Sequence, residues 1–209
     1  GRLCSFRKNM LARCLVVAAL ASVAYGFSPA TPVAGSLRAS PLARATSPRL
    51  SLRMAAEVDA PAPDFTLASS TGKDYSLKTL AGKWQVLYFY PKAFTQGCTC
   101  EAQGFEKDAA EIRKLGAEIV GVSIDTVDKL KEFSEAYSLS FPLLSDPGAK
   151  VADAYGAALK LPIVGAFAAN RKTYIIDPKG QLRYTFDKVN SKDPGSEVIA
   201  KLKELKGQK

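Results

Sequence analysis

Tyr88-Phe-Tyr-Pro-Lys-Ala-Phe-Thr-Gln-Gly-Cys-Thr-Cys-Glu-Ala102 is the stretch on which the reading of the fold turns. Its first residues finish a longer run, Trp84-Gln-Val-Leu-Tyr-Phe-Tyr90. That run is aromatic and β-branched with little alternation, the pattern of a strand buried on both faces. Pro91 to Gly97 reads as a loop. Beyond it, Ala102, Phe105, Ala109 and Ile112 recur at spacings of three, four and three, one apolar face of a helix that stops at Gly116. Cys98 therefore falls in the first turn of a helix that follows a buried strand.

Outward from this unit the alternation continues. Glu118-Ile-Val-Gly-Val-Ser-Ile124 is a second strand. Val127, Leu130, Phe133 and Tyr137 form one face of a second helix, with Asp125 and Thr126 as candidate caps. Thr173-Tyr-Ile-Ile-Asp177, a Pro178-Lys-Gly180 turn and Gln181-Leu-Arg-Tyr-Thr-Phe186 form a hairpin. Val198, Leu202 and Leu205 line a C-terminal helix with lysines on its exposed side, and Phe65-Thr-Leu67 is a short edge strand. This order predicts an α/β fold, a mixed central sheet with helices on both faces.

The chemistry concentrates at Cys98. Unpaired backbone N–H groups at a helix start carry partial positive charge and favour an anion. A thiolate is such an anion, and the thiolate is the nucleophilic form of cysteine. Thr95 can donate a hydroxyl hydrogen bond within the loop, and Gly97 permits close approach of the backbone. The alternative is a buried, inert cysteine, the common state of a free thiol. The chain has no histidine, which excludes Ser-His-Asp and Cys-His catalysis and imidazole metal sites.

Pro91-x-x-x-Thr95-x-x-Cys98 resembles the active-site motif of peroxiredoxins. The wider string Tyr88-Phe-Tyr-Pro-Lys with Gly97-Cys-Thr and Glu101-Ala is similar to the peroxiredoxin Q / bacterioferritin-comigratory-protein branch. The likeness runs from about Ala62 to the C-terminus. It takes in Ala62-Pro-Asp-Phe65, Phe141-Pro-Leu-Leu-Ser-Asp146, Ala154-Tyr-Gly156 and Arg171-Lys-Thr-Tyr-Ile-Ile-Asp177. The resemblance implies a thioredoxin-like fold and a thiol-dependent peroxidase acting on hydrogen peroxide and organic hydroperoxides, with an antioxidant role. It implies that Cys98 is the peroxidatic cysteine, passing through a sulfenic acid. Thr95 would orient the peroxide, Arg171 would be the active-site arginine, and Pro91 and Gly97 would shape the loop. No cofactor or metal is expected. The reductant would be thioredoxin, glutaredoxin or glutathione, and the domain is expected to act as a monomer.

Two departures stand out. Gln96 replaces the proline that often precedes the glycine in this branch. The resolving cysteine of many members lies five residues after the peroxidatic one, and that position is Gln103 here. Cys100 is then the possible resolving residue. Helical positions two apart diverge by about 200°, so a Cys98–Cys100 bridge needs the turn to unwind. We expect resolution by an external thiol instead, with Cys100 mainly a packing residue. A thioredoxin-type disulfide oxidoreductase would need Cys-x-x-Cys rather than Cys-x-Cys. A metal site lacks further soft ligands. A non-enzymatic redox sensor or chaperone is the remaining alternative.

Composition places the catalytic part away from nucleic acid. The 209 residues are 47% hydrophobic and 23% charged, with a net charge of +9. Residues 1–56 hold eight of the 29 basic residues and no acid; the 21 left face 20 acids, so the remainder carries only +1. The basicity belongs to an extension with two parts. Residues 1–26 read as a signal peptide: Arg7, Lys8 and Arg13, then Cys14-Leu-Val-Val-Ala-Ala-Leu-Ala21, then Ala24-Tyr-Gly26. The apolar run is shorter than the roughly 20 residues a membrane anchor needs. Met10 is a plausible true start. Residues 27–56, rich in Ala, Ser, Arg and Pro, read as a transit peptide. Together they resemble the bipartite plastid presequence of algae. The expected destination is the chloroplast stroma, with Cys4 and Cys14 removed and residues 57–209 as the mature domain, neither membrane-bound nor nucleic-acid-binding.

Overall fold

Alternate residues of the buried aromatic strand feed opposite sides of one sheet, and the rest of the fold is built around it. The computed structural model describes residues 56–161 and 166–207. The signal- and transit-peptide readings, with Met10, Cys4 and Cys14, lie outside the described residues. In chain order the elements are β1 (Thr66–Ala68), β2 (Asp74–Ser76), β3 (Trp84–Phe89), α1 (Gln96–Lys114), β4 (Ala117–Ser123), α2 (Val127–Ala136) and β5 (Leu143–Ser145). They continue as α3 (Lys150–Ala154), β6 (Ala158–Leu161), β7 (Ala166–Ala169), β8 (Lys172–Ile176), β9 (Leu182–Phe186) and α4 (Pro194–Gly207).

The central sheet has five strands in the order β5-β4-β3-β8-β9. β3, β4 and β5 are parallel, while β8 and β9 run antiparallel. The sheet is mixed, and all six residues of β3 are buried. Side chains alternate along a strand. Val86 and Tyr88 face a core closed by Phe105 and Ile112 of α1, Leu130 and Phe133 of α2, and Val198 and Leu202 of α4. Leu87 and Phe89, with Val120 and Val122 of β4, face a second core with Phe65, Ala152 of α3, Tyr155 and Tyr174. The expected α/β layering is therefore present, with helices on both faces.

Three local expectations change. The strand near Phe65 pairs with β2 in a separate two-stranded ribbon rather than along the central sheet. A second ribbon, β6 with β7, and the short elements β5 and α3 were not read from the sequence. Thr126 is the N-cap of α2 but makes no side-chain cap bond. Asp125 does not cap α2; its carboxylate turns back to the loop before α1.

Candidate active site

The parallel register between β3 and β4 puts their C-terminal ends together, and the loop that leaves β3 there leads into α1. In open α/β sheets this edge is where ligands bind. Asp125, just after β4, fixes that loop. Its Oδ2 accepts from the Ala93 N–H at 2.7 Å and from the Ser123 hydroxyl at 3.1 Å, and Lys129 donates to its Oδ1. The anchor holds a constrained backbone: Phe94, next to Ala93, has φ of +66°, a conformation disfavoured for a bulky side chain. Its ring remains 44% exposed and packs edge-on against Phe133 at 5.1 Å between centroids.

Thr95 is the N-cap residue of α1. Its hydroxyl donates to the Lys92 carbonyl at 3.1 Å, within the loop as the sequence indicated. The first i to i−4 bond of the helix is Thr99 N–H to the Thr95 carbonyl at 2.9 Å. The N–H groups of Gln96, Gly97 and Cys98 precede it and have no partner inside the helix. Cys98 sits among them, buried to 2% exposure; Pro91 and Gly97 are half-buried. Cys98 and Cys100 are both free thiols in the helical first turn, the first buried and the second half-buried.

Arg171 comes from far along the chain. Phe89 of β3 lies opposite Lys172 of β8, so the residue before Lys172 emerges at the same sheet edge as the β3 loop. Its Nη2 donates to the Cys98 sulfur at 3.4 Å. Gly97 makes room for this: a Cβ there would lie 3.1 Å from Arg171 Nη2. The glycine thus admits a guanidinium, where the sequence suggested a close backbone.

Glu101 completes the group and was not singled out from the sequence. Its side chain has no solvent exposure, and one oxygen accepts from Arg171 Nη1. The other oxygen, Oε1, is buried with no hydrogen-bond partner among the described residues. Burial pushes the Glu101 carboxyl up to about 7, with Arg171 pulling the other way. Burial also works against the Arg171 charge, yet Glu101 and Cys98 together hold its proton more firmly than usual. The signal for Glu101 was its i+3 spacing from Cys98, which puts both on one helix face.

A thiol at the N-terminus of a helix, behind the central strand of a mixed sheet and under a fixed guanidinium, defines a thioredoxin-like thiol enzyme. The family model for the AhpC/TSA family matches residues 58–185. A putative peroxiredoxin Bcp from Haemophilus influenzae is 37% identical over 146 residues, 69% of this chain and 94% of that protein. Chloroplastic peroxiredoxin Q from Triticum aestivum is 41% identical over 125 residues, 60% of this chain and 56% of that one. Among solved structures, peroxidoxin BcpB from Mycobacterium tuberculosis superposes with a TM-score of 0.67 at 31% identity, covering 72% of this chain and 98% of that one. The Xanthomonas campestris bacterioferritin comigratory protein, for which alkyl peroxide reduction activity is described, gives 0.66 at 33% identity, with coverage of 72% and 98%. The chain belongs to the AhpC/TSA family and, within it, to the Bcp/PrxQ branch of the peroxiredoxins. It is an enzyme of that class, a thiol-dependent peroxidase.

Proposed function

We propose that Cys98 is the thiol that reduces the peroxide, and the observation that carries this is the Arg171 Nη2 contact on its sulfur at the start of α1. The Cys98 thiolate attacks one peroxide oxygen. An S–O bond forms as the O–O bond breaks, leaving a sulfenic acid on Cys98. The second oxygen departs with the electron pair and takes a proton from solvent, giving water or an alcohol. Negative charge grows on that oxygen, so fixed donors stabilise the transition state. The free N–H groups of the first turn and Arg171 supply them, and Thr95 orients the bound peroxide. The burial of Cys98 suits a small oxidant. Both hydrogen peroxide and organic hydroperoxides are the intended substrates, the latter in keeping with the activity described for the Xanthomonas relative. Replacing Cys98 with Ser should abolish peroxide consumption in the presence of dithiothreitol; a variant that keeps most of its turnover would remove Cys98 from this role.

The sulfenic acid is then recycled by an external thiol, glutathione or a redoxin. Cys98 and Cys100 lie two positions apart in an intact helical turn, and their Cβ directions diverge. A Cys100→Ser variant should retain substantial turnover with a monothiol and glutaredoxin. A wild-type monomer that becomes 2 Da lighter (one disulfide) after one equivalent of peroxide, together with loss of turnover in Cys100→Ser, would make Cys100 the resolving residue.

The domain begins near Glu57 and acts as a monomer in the plastid stroma. Residues 1–26 and 27–56 serve as successive signal and transit peptides. The chloroplastic peroxiredoxin Q relatives from wheat and rice support a plastid setting.

A further inference from the structure

We propose that Glu101 is a positioning residue that competes with Cys98 for Arg171, making the reactivity of this site fall when Glu101 carries its charge. The inference rests on the assignment of Cys98 above. One guanidinium serves two acids through different arms: Nη1 to the Glu101 carboxylate and Nη2 to the Cys98 sulfur. The carboxylate is withdrawn from solvent, since its side chain is fully buried, and no donor among the described residues reaches its second oxygen. The groups that face it are Arg171 from the start of β8, Cys98 from its own helix, and Tyr88 and Tyr90 from β3. Arg171 is the one cation in this set, and it is held protonated. With Glu101 neutral, the site holds one cation and one anion when Cys98 is ionised. With Glu101 ionised, two anions share the same cation, and like charges at close range disfavour each other.

The geometry also assigns Glu101 a second effect of opposite sign. An acceptor on Nη1 fixes the plane of the guanidinium fork and so aims Nη2 at the sulfur. Charge and aim are separable, because glutamine keeps an acceptor oxygen and loses the charge, while leucine loses both. Burial brings the ionisation of Glu101 to about 7, so the competition is switched within the neutral range.

The test uses the full chain with Cys100→Ser as background, and compares Glu101, Glu101→Gln and Glu101→Leu. Iodoacetamide alkylation of Cys98, read by peptide mass, reports the thiolate without any peroxide chemistry. The ratio of its rate at pH 8 to that at pH 6 should rise by about threefold or more in Glu101→Gln, because the variant no longer adds an anion that suppresses the thiolate as pH rises. Glu101→Leu should show the same rise in that ratio, and should in addition reduce peroxide more slowly at both pH values. Near-UV circular dichroism establishes that each variant is folded, and either folded variant suffices for the alkylation test. Folded variants whose alkylation ratio stays at the parent value would overturn the proposal. Failure of the Cys98 assignment would appear separately, as peroxide turnover that survives Cys98→Ser.

Discussion

At the scale of single residues, a buried carboxyl next to a catalytic cation has a cost that can be read from pH. Glu101 has an ordinary carboxyl value of 4.5 and is pushed up to about 7 in the fold, chiefly by burial. The native state therefore binds the Glu101 proton more tightly than the unfolded chain does. Its contribution to stability is fully present below about 4.5 and is lost as pH rises through about 7. A difference of that size corresponds to at most about 3 kcal/mol. The unfolding free energy of Glu101→Gln, measured by urea denaturation, should therefore gain on wild type between pH 4.5 and pH 7.5. Parallel curves across that range would mean that Glu101 is ionised at no net cost. Cysteine and threonine in this site were legible because their neighbours in sequence are their neighbours in space. Arg171 was not legible in that way: 73 residues separate it from Cys98, and only the family resemblance pointed to it. The roles of Glu101 and Asp125 escaped because a carboxylate's role depends on whether it is buried and on what donates to it, and neither is written in the local pattern.

At the scale of elements, the sheet is fixed by how closely β4 lies to its neighbours. Gly121 is in the middle of β4, opposite Tyr88 on one side and Leu143 on the other. A Cβ at Gly121 would sit 2.7 Å from the Tyr88 ring and 2.8 Å from Leu143 Cδ2. Tyr88 cannot swing away freely, because its ring packs on Phe105 at 4.7 Å and stacks with Tyr90 at 5.5 Å. Gly121→Ala should therefore destabilise the domain by about 1–3 kcal/mol through overpacking, measured by thermal or urea unfolding. A neutral effect would show that the Tyr88 layer yields easily. The same packing explains which elements the sequence displayed. β3, β4, the β8–β9 hairpin, α1, α2 and α4 have enough residues to show a period or a buried run. β1, β2 and β5 have three residues each and α3 has five, too few for either pattern to repeat. β5 falls inside the Phe141–Asp146 motif, where its apolar pair was visible without its pairing to β4. Of the two candidate caps of α2, Thr126 holds the N-cap position, while Asp125 satisfies a loop N–H more than thirty residues back instead of the helix that follows it.

At the scale of the whole chain, the charge is distributed unevenly. Residues 1–56 carry +8 and the rest +1. Both cores of the described residues draw their fully buried side chains from Ala62 onward. The entry into the fold is secured just before that point. Asp59 N–H donates to the Leu182 carbonyl at 2.7 Å, Ala62 N–H donates to the Gly180 carbonyl at 2.9 Å, and Pro61 bridges to Gln181. These bonds tie residues 59–62 to the start of β9. The loss of Ala56, half-buried against the second core, removes one methyl group. A protein that begins at Glu57 should therefore unfold within about 1 kcal/mol of the full chain and reduce peroxide at the same rate per Cys98. It should also lose most of the retention that the full chain shows on a cation exchanger at pH 7, since eight of the excess positive charges go with the extension. A truncated protein with intact secondary structure but no cooperative melt would place a necessary packing contact within residues 1–56, and the domain boundary would then have to move toward the N-terminus.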